Sequence, residues 1–272
     1  MKRQWYAAPY GLWMLMFTIV PLLFVVYYAF SDGNGGWTAA NFLRIFQPGY
    51  LPVLLDSLKL ALYCTIICLL IGYPTAYFLA SKDFSANKML VVLILLPMWM
   101  NFLLRTYAMM TILENNGLLN TLLEKLGIGK LRLIGTEGAV LLGMVYNFLP
   151  FMVLPIHTAL KKLDTGVIEA AEDLGANPIR VVLKVVVPQS VPGVVSGITM
   201  VFMPAVTTFA ITRLLSNGMI YLVGDMIEEY FITVNNRPAG SSLSLVMLVL
   251  ILISTLLLRK VNPDKEGGGG VW

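Results

Sequence analysis

At 272 residues, 58% hydrophobic and only 12% charged, the chain lies far from the roughly 25% charged content of an average soluble domain. That composition excludes a water-soluble globular enzyme and leaves room for about six bilayer-crossing helices of roughly 20 residues each. The formal net charge of +4 and a pI near 9.0 fit orientation in a membrane and contact with anionic lipid rather than nucleic-acid binding.

In chain order, apolar windows predict spans near Tyr10–Phe30, Leu58–Ala80, Met89–Leu113, Ala139–Leu160, Gly193–Leu214 and Leu243–Leu258. The first is too long for a signal-peptide core and is followed by no A-x-A site, so it is expected to remain attached as a span. Cys64 and Cys68 lie one helical turn apart within the second, where they read as small apolar packing residues rather than metal or redox ligands. After the third span, "NGLLNTLLEKLGIGK" aligns Leu118, Leu119, Leu122, Leu123 and Leu126 on one helical face. That face suits either an interfacial helix or a short loop helix packed on the bundle. Pro97, Pro150, Pro155 and Pro204 interrupt spans, and such kinks are tolerated in a bundle packed around a cavity. His157 is expected near the inner end of the fourth span, as an interfacial histidine, with a proton relay the alternative role. No linker, repeat or heptad run divides residues 1–272, which are expected to form a single transmembrane domain with a flexible tail over 264–272.

Six spans would place both termini on one side. With that side inside, the inner segments hold Lys2, Arg3, Lys82, Lys88, Lys161, Lys162, Arg180, Lys184, Arg259, Lys260 and Lys265. The outer loops hold only Arg44, Lys125, Lys130, Arg132, Arg213 and Arg237. An inner excess of Lys and Arg orients such chains, so the termini and the segment 161–192 are expected in the cytoplasm.

Within that segment lies the most polar long stretch of the chain, "EAAEDLGANPIRVVLKVVVPQSVPG". From Val167 to Leu174 it reads as a short amphipathic helix with Val167, Ile168, Ala171 and Leu174 together and Glu169, Glu172 and Asp173 elsewhere. Gly175 suits the left-handed residue that ends a helix, and Asn177-Pro178 an N-cap with proline at the first helical position. The restarted helix is expected to end at Pro188 and Pro192, before the fifth span; "VVLKVVVP" also fits a strand. Two helices around a tight glycine turn make a rigid knob that suits partner docking, and the small Ala170 and Ala171 allow close approach; a plain loop has the same geometry.

Glu169-Ala170-Ala171, three residues, Gly175, nine residues, then Val185-Val186-Val187-Pro188 resembles the EAA loop of permease subunits in binding-protein-dependent ABC importers. Val185 and Val187 stand where the family carries Ile and Leu. The resemblance implies an all-α membrane protein of six transmembrane helices, the type I ABC importer permease fold, in which this cytoplasmic EAA loop is a coupling helix seated on an ATPase. Glu169, Ala170, Ala171, Leu174, Gly175 and Pro188 would then carry the coupling. Residues 95–120 and 143–164 look like the spermidine/putrescine importer permeases. That likeness implies a polyamine cargo, a homologous second permease subunit, two ATPase subunits and an extracytoplasmic polyamine-binding protein. No G-x-x-x-x-G-K-[ST] phosphate loop is present, so ATP and Mg are expected on the partner ATPase and no cofactor or metal on this chain.

A flexible polycation calls for aromatic faces and carboxylates. Trp99, Asn101, Tyr107, Tyr146 and Asn147 are the candidates for a translocation path, with bundle packing the competing role for the aromatics. Glu114, Asp225, Glu228 and Glu229 are candidates for outer contacts to a cation or to the binding protein, against a reading as solvated loop charge. Arg105, a cation within a span, is given a structural or gating role, and Glu114 is one possible counter-ion. The rival classes are an importer permease for another small cation or solute, a secondary transporter, and an intramembrane protease. The marks of the last two, intramembrane acids with paired broken repeats and a nucleophile–base pair, are not evident in the sequence.

Overall fold

The computed structural model describes residues 8–32, 36–81 and 88–261, and these are helical almost throughout. The expected flexible tail and the basic residues Lys2, Arg3, Lys82 and Lys265 lie outside the described residues. Five helices are long and apolar enough to cross a bilayer: α1 (Pro9–Ala29), α2 (Tyr50–Ala80), α6 (Glu137–Leu160), α8 (Pro178–Val206) and the apolar part, Arg237–Leu258, of α11 (Arg237–Val261). Among the shorter helices are α3 (Lys88–Trp99), α4 (Phe102–Leu113), α5 (Leu118–Lys125), α7 (Thr165–Asp173), α9 (Ala210–Leu215) and α10 (Val223–Ile232).

The expected third span is not one straight helix. Met89–Trp99 and Phe102–Lys125 qualify as a crossing only when taken together, and they are bent by 94°. The cause is local: Pro97 offers no amide, the Met100 N–H turns back to the Pro97 carbonyl, and the Asn101 side chain accepts from the Leu103 and Leu104 amides at 2.9 and 3.3 Å, capping a new helix.

The expected fifth span is also redrawn. Helix α8 starts at Pro178 and runs to Val206, so Pro188 and Pro192 do not end it, and "VVLKVVVP" is helical rather than extended. A π turn over Val182–Val186 precedes Pro188 and absorbs the disturbance a proline ring causes in an α-helical ladder. Continuity is lost instead at Thr207–Phe209, where the first turn of α10 intervenes: a side chain at Gly224 would stand 2.5 Å from the Thr207 and Thr208 carbonyl oxygens.

The core is the mutual packing of α2, α6 and α8. Ala61, Cys64, Cys68 and Ala76 of α2 meet Met144, Met152 and Ile156 of α6 and Val201 and Ala205 of α8, all fully buried. Cys64 and Cys68 are free thiols with their sulfurs 4.0 Å apart, packed as the small apolar residues the sequence suggests. Pro155 and Ala159 of α6 face Gly193 of α8 so closely that a Cβ there would lie 2.5 Å from the Ala159 Cβ. Small residues at such crossings let helix backbones approach where no hydrophobic drive joins helices inside lipid. Helix α1 packs chiefly on α11 and is otherwise bare, an almost wholly exposed apolar rod.

Candidate functional site

The segment between α6 and α8 forms a knob at the bundle end where α6 finishes and α8 begins. Asp164 starts α7, its carboxylate accepting the Gly166 amide at 2.9 Å. Gly175 ends it with φ +80°, a backbone region that L side chains rarely adopt. Its amide bonds to the Glu172 carbonyl at 2.8 Å and the Ala176 amide to the Ala171 carbonyl at 3.1 Å, the paired bonds of a Schellman turn. Asn177 accepts the Arg180 amide at 2.8 Å, and Pro178 opens α8. The turn chemistry expected from Gly175 and Asn177-Pro178 is therefore present.

The apolar side chains of α7 divide rather than bury together. Ile168 and Ala171 pack partly against the core, while Val167 stays exposed and Leu174 is 89% exposed. Ile179 and Leu183 on the first turns of α8, which the sequence alone did not single out, are also bare at 71% and 61%. Glu169, Ala170, Gly175 and Pro188 are exposed. The knob thus presents aliphatic side chains, a small-residue surface and the acids of α7 together, a combination with an unmet demand for an apolar cover.

The path candidates separate. Trp99 and Asn101 sit at the α3–α4 bend, and Trp99, Tyr107 and Tyr146 are exposed on the single chain at 79%, 48% and 40%. Asn147 is buried instead and joins helices, donating to the Thr106 hydroxyl at 3.3 Å and the Gly143 carbonyl at 2.9 Å. Arg105 is 6% exposed; its Nε and Nη1 lack a hydrogen-bond partner, and no ion pair among the described residues joins it to Glu114. His157, in the last turn of α6, is buried beside the apolar Leu79, Val91, Ile94 and Val153.

At the opposite end, the acids of α10 are structural participants rather than solvated loop charges. Asp225 is 7% exposed and accepts the Leu222 amide at 3.0 Å; burial raises its carboxyl to about 6, against the lesser opposing pull of that amide and Arg213. Glu228 pairs with Arg213 at 2.7 Å. Glu229 accepts from the Tyr221 hydroxyl, and burial followed by that carboxylate pushes the Tyr221 phenol upward. Glu114 is exposed. Among the described residues no group of His, Cys, Asp and Glu is arranged to hold a metal ion.

Residues 69–267 match the family model described as the binding-protein-dependent transport system inner membrane component. The chain belongs to that family. It is an ABC importer permease, and the resemblance drawn from the Glu169–Pro188 pattern is correct at the level of family. The permease is 37% identical over 92% of its length to the spermidine/putrescine transport system permease protein PotB of Haemophilus influenzae, covering 90% of that protein. It is 34% identical to PotB of Escherichia coli K12 over 93% of its own length and 97% of that protein.

Among solved structures, the permease superposes on a chain of a bacterial ABC transporter involved in import of the acidic polysaccharide alginate. The TM-score is 0.76 at 18% identity, covering 96% and 97% of the two chains. The alginate transporter in complex with a pentasaccharide-bound periplasmic protein gives 0.75 at 17% identity, covering 96% and 94%. At that identity the likeness establishes the fold. The family assignment disfavours the secondary-transporter alternative and places the permease in the inner membrane.

Proposed function

We propose that the permease translocates polyamines of the spermidine/putrescine class into the cell, as one half of a permease pair driven by two ATPase subunits and supplied by an extracytoplasmic binding protein. The observation that carries the substrate class is identity of 34–37% to PotB proteins over more than nine-tenths of the chain. The alginate neighbour, seen with its periplasmic protein, supports the binding-protein partner only as a mode of assembly.

In this reading the bent pair α3–α4 counts as one crossing, giving six, with both termini and α7 in the cytoplasm. The α7 knob is the coupling element: Leu174 and Ile179 enter a groove of the ATPase, Ala170 and Ala171 permit close approach, and Gly175 holds the turn. Closure of the ATPases on ATP biases the permease pair between inward- and outward-facing states through this contact. Trp99, Tyr107 and Tyr146 offer the cation-attracting ring faces of a path, and Asn101 shapes it by holding the bend.

The test is ATP hydrolysis by the reconstituted complex as spermidine-loaded binding protein is added. Wild type is expected to be stimulated, and Glu169→Ala combined with Gly175→Pro to lose the stimulation. Unchanged stimulation in the variant refutes the coupling role; stimulation by some other loaded ligand alone refutes the polyamine assignment.

A further inference from the structure

We propose that α5 and the returning segment 126–132 form a foot that rests on the bilayer surface and binds anionic phospholipid headgroups, at the membrane face opposite the knob. The inference rests on the membrane-crossing character of the flanking helices and is independent of the cargo.

Alignment of five leucines on one face does not by itself say which of them is outward. The structure divides them: Leu119 and Leu123 turn toward the protein, while Leu118, Leu122 and Leu126 are 67%, 50% and 73% exposed. Ile128 and Leu131 extend the same kind of surface at 62% and 47%. Aliphatic surface of this extent is costly to leave in water.

The surface is held in place. Asn120, fully buried, donates to the carbonyls of Glu114 and Leu131, each at 3.0 Å, and accepts the Leu131 amide at 2.9 Å. One side chain therefore clasps the end of α4, the first turn of α5 and the returning strand of chain. Its three hydrogen bonds fix the loop in a single shape.

Location and charge identify the occupant. The foot follows α4 and precedes α6, whose first residue Glu137 pairs with Lys59 of α2 at 3.4 Å with both side chains exposed, as at the edge of the hydrocarbon. Residues 118–132 contain Lys125, Lys130 and Arg132 against the single carboxylate of Glu124. Lys130 reaches Glu124 at 3.7 Å and the Asn116 side chain at 3.0 Å, which leaves the cationic excess on Lys125 and Arg132. Leucines beside lysine and arginine at the end of a span are what an interfacial element presents to acyl chains and anionic headgroups.

The test uses the full chain in nanodiscs of phosphatidylcholine, with or without phosphatidylglycerol. A fluorescent maleimide is placed at Leu118→Cys, Leu122→Cys or Leu126→Cys, with Glu124→Cys as control; the native Cys64 and Cys68 are fully buried. The leucine positions are expected to be quenched by lipid-borne spin labels and shielded from aqueous iodide, and the Glu124 position to behave oppositely. Spin label carried on phosphatidylglycerol is expected to quench at least twofold more than label on phosphatidylcholine, a preference lost in Lys125→Gln with Arg132→Gln. Iodide access at the leucine positions overturns the proposal, and so does shielding from both quenchers, which would mean a protein partner. Equal quenching by the two lipids overturns the headgroup selectivity.

Discussion

The amide of Val223, the first residue of α10, donates to the Ser57 hydroxyl of α2 at 2.8 Å, and that hydroxyl in turn donates to the Val53 carbonyl at 2.7 Å. Ser57 is fully buried and Val223 nearly so. Ser57→Ala would leave the Val223 amide buried and unpaired, at a cost of about 1–3 kcal/mol. The expected outcome is a drop of roughly 2–10 °C in the melting temperature of the purified permease. A melt unchanged from wild type would show that α10 does not depend on this anchor.

Asp225 makes stability depend on pH. Its carboxyl is raised from 3.8 to about 6 by burial, so the folded state holds more protons than the unfolded state between those values. The neutral form is the favoured one in the fold: stability is highest below pH 3.8, falls as pH rises toward 6, and the burial penalty is fully present above it. Asp225→Asn retains an acceptor for the Leu222 amide without the charge. It is expected to melt about 3 °C or more above wild type at pH 7.5, with the gap closing toward pH 4. A gap that is constant with pH would show that ionisation of Asp225 is not its source.

Gly175 separates backbone strain from side-chain chemistry in the knob. At φ +80° an alanine costs about 1–2 kcal/mol, whereas asparagine visits this region more readily. Gly175→Ala is expected to reduce binding-protein-stimulated ATP hydrolysis several-fold and Gly175→Asn to retain most of it. Equal loss in the two variants would point to lost space rather than a lost turn.

The α6–α8 crossing predicts a compensating pair. Gly193→Ala sets a Cβ 2.5 Å from the Ala159 Cβ and 2.8 Å from the Pro155 carbonyl oxygen, which forces the helices apart. Overpacking of this kind costs about 1–3 kcal/mol. Ala159→Gly in the same chain removes the first clash but not the second, so the melt of the double variant is expected to lie between wild type and the single variant. A double variant no better than Gly193→Ala would assign the whole cost to the Pro155 carbonyl.

What was legible in the sequence follows the range of the forces involved. Hydrophobic length marks spans locally, and the caps at Asn177 and Gly175 depend on a few neighbouring residues, so both were readable. The Asp164-x-Gly166 start of α7 carried the same kind of local signal. Where a span bends is decided by competition: Pro97 weakens the ladder, but Asn101 must cap the next turn before the chain departs by 94°. Pro188 looked like a stop because a proline breaks an α-helical ladder, and a π turn upstream removed that conflict. The partners of Glu228, Glu229 and Asp225 lie on other turns and helices or depend on burial, which no spacing rule supplies. His157 lies in the last turn of α6, near the end of its span as its position predicts, but the side chains of α2 and α3 that enclose it are not specified by any local pattern.

The unbroken course of α8 has a mechanical meaning. Its 29 residues, at about 1.5 Å each, make a shaft of roughly 40 Å with the knob at one end and the Thr207–Phe209 break at the other. In the coupling role proposed for the knob, a rotation begun at Asn177 would reach Val201 and Ala205, packed against α2 and α6, before the first non-helical residues. In the role proposed for the knob, α8 is therefore the member that joins it directly to the far end of the core, where the chain first leaves the helix at Thr207–Phe209.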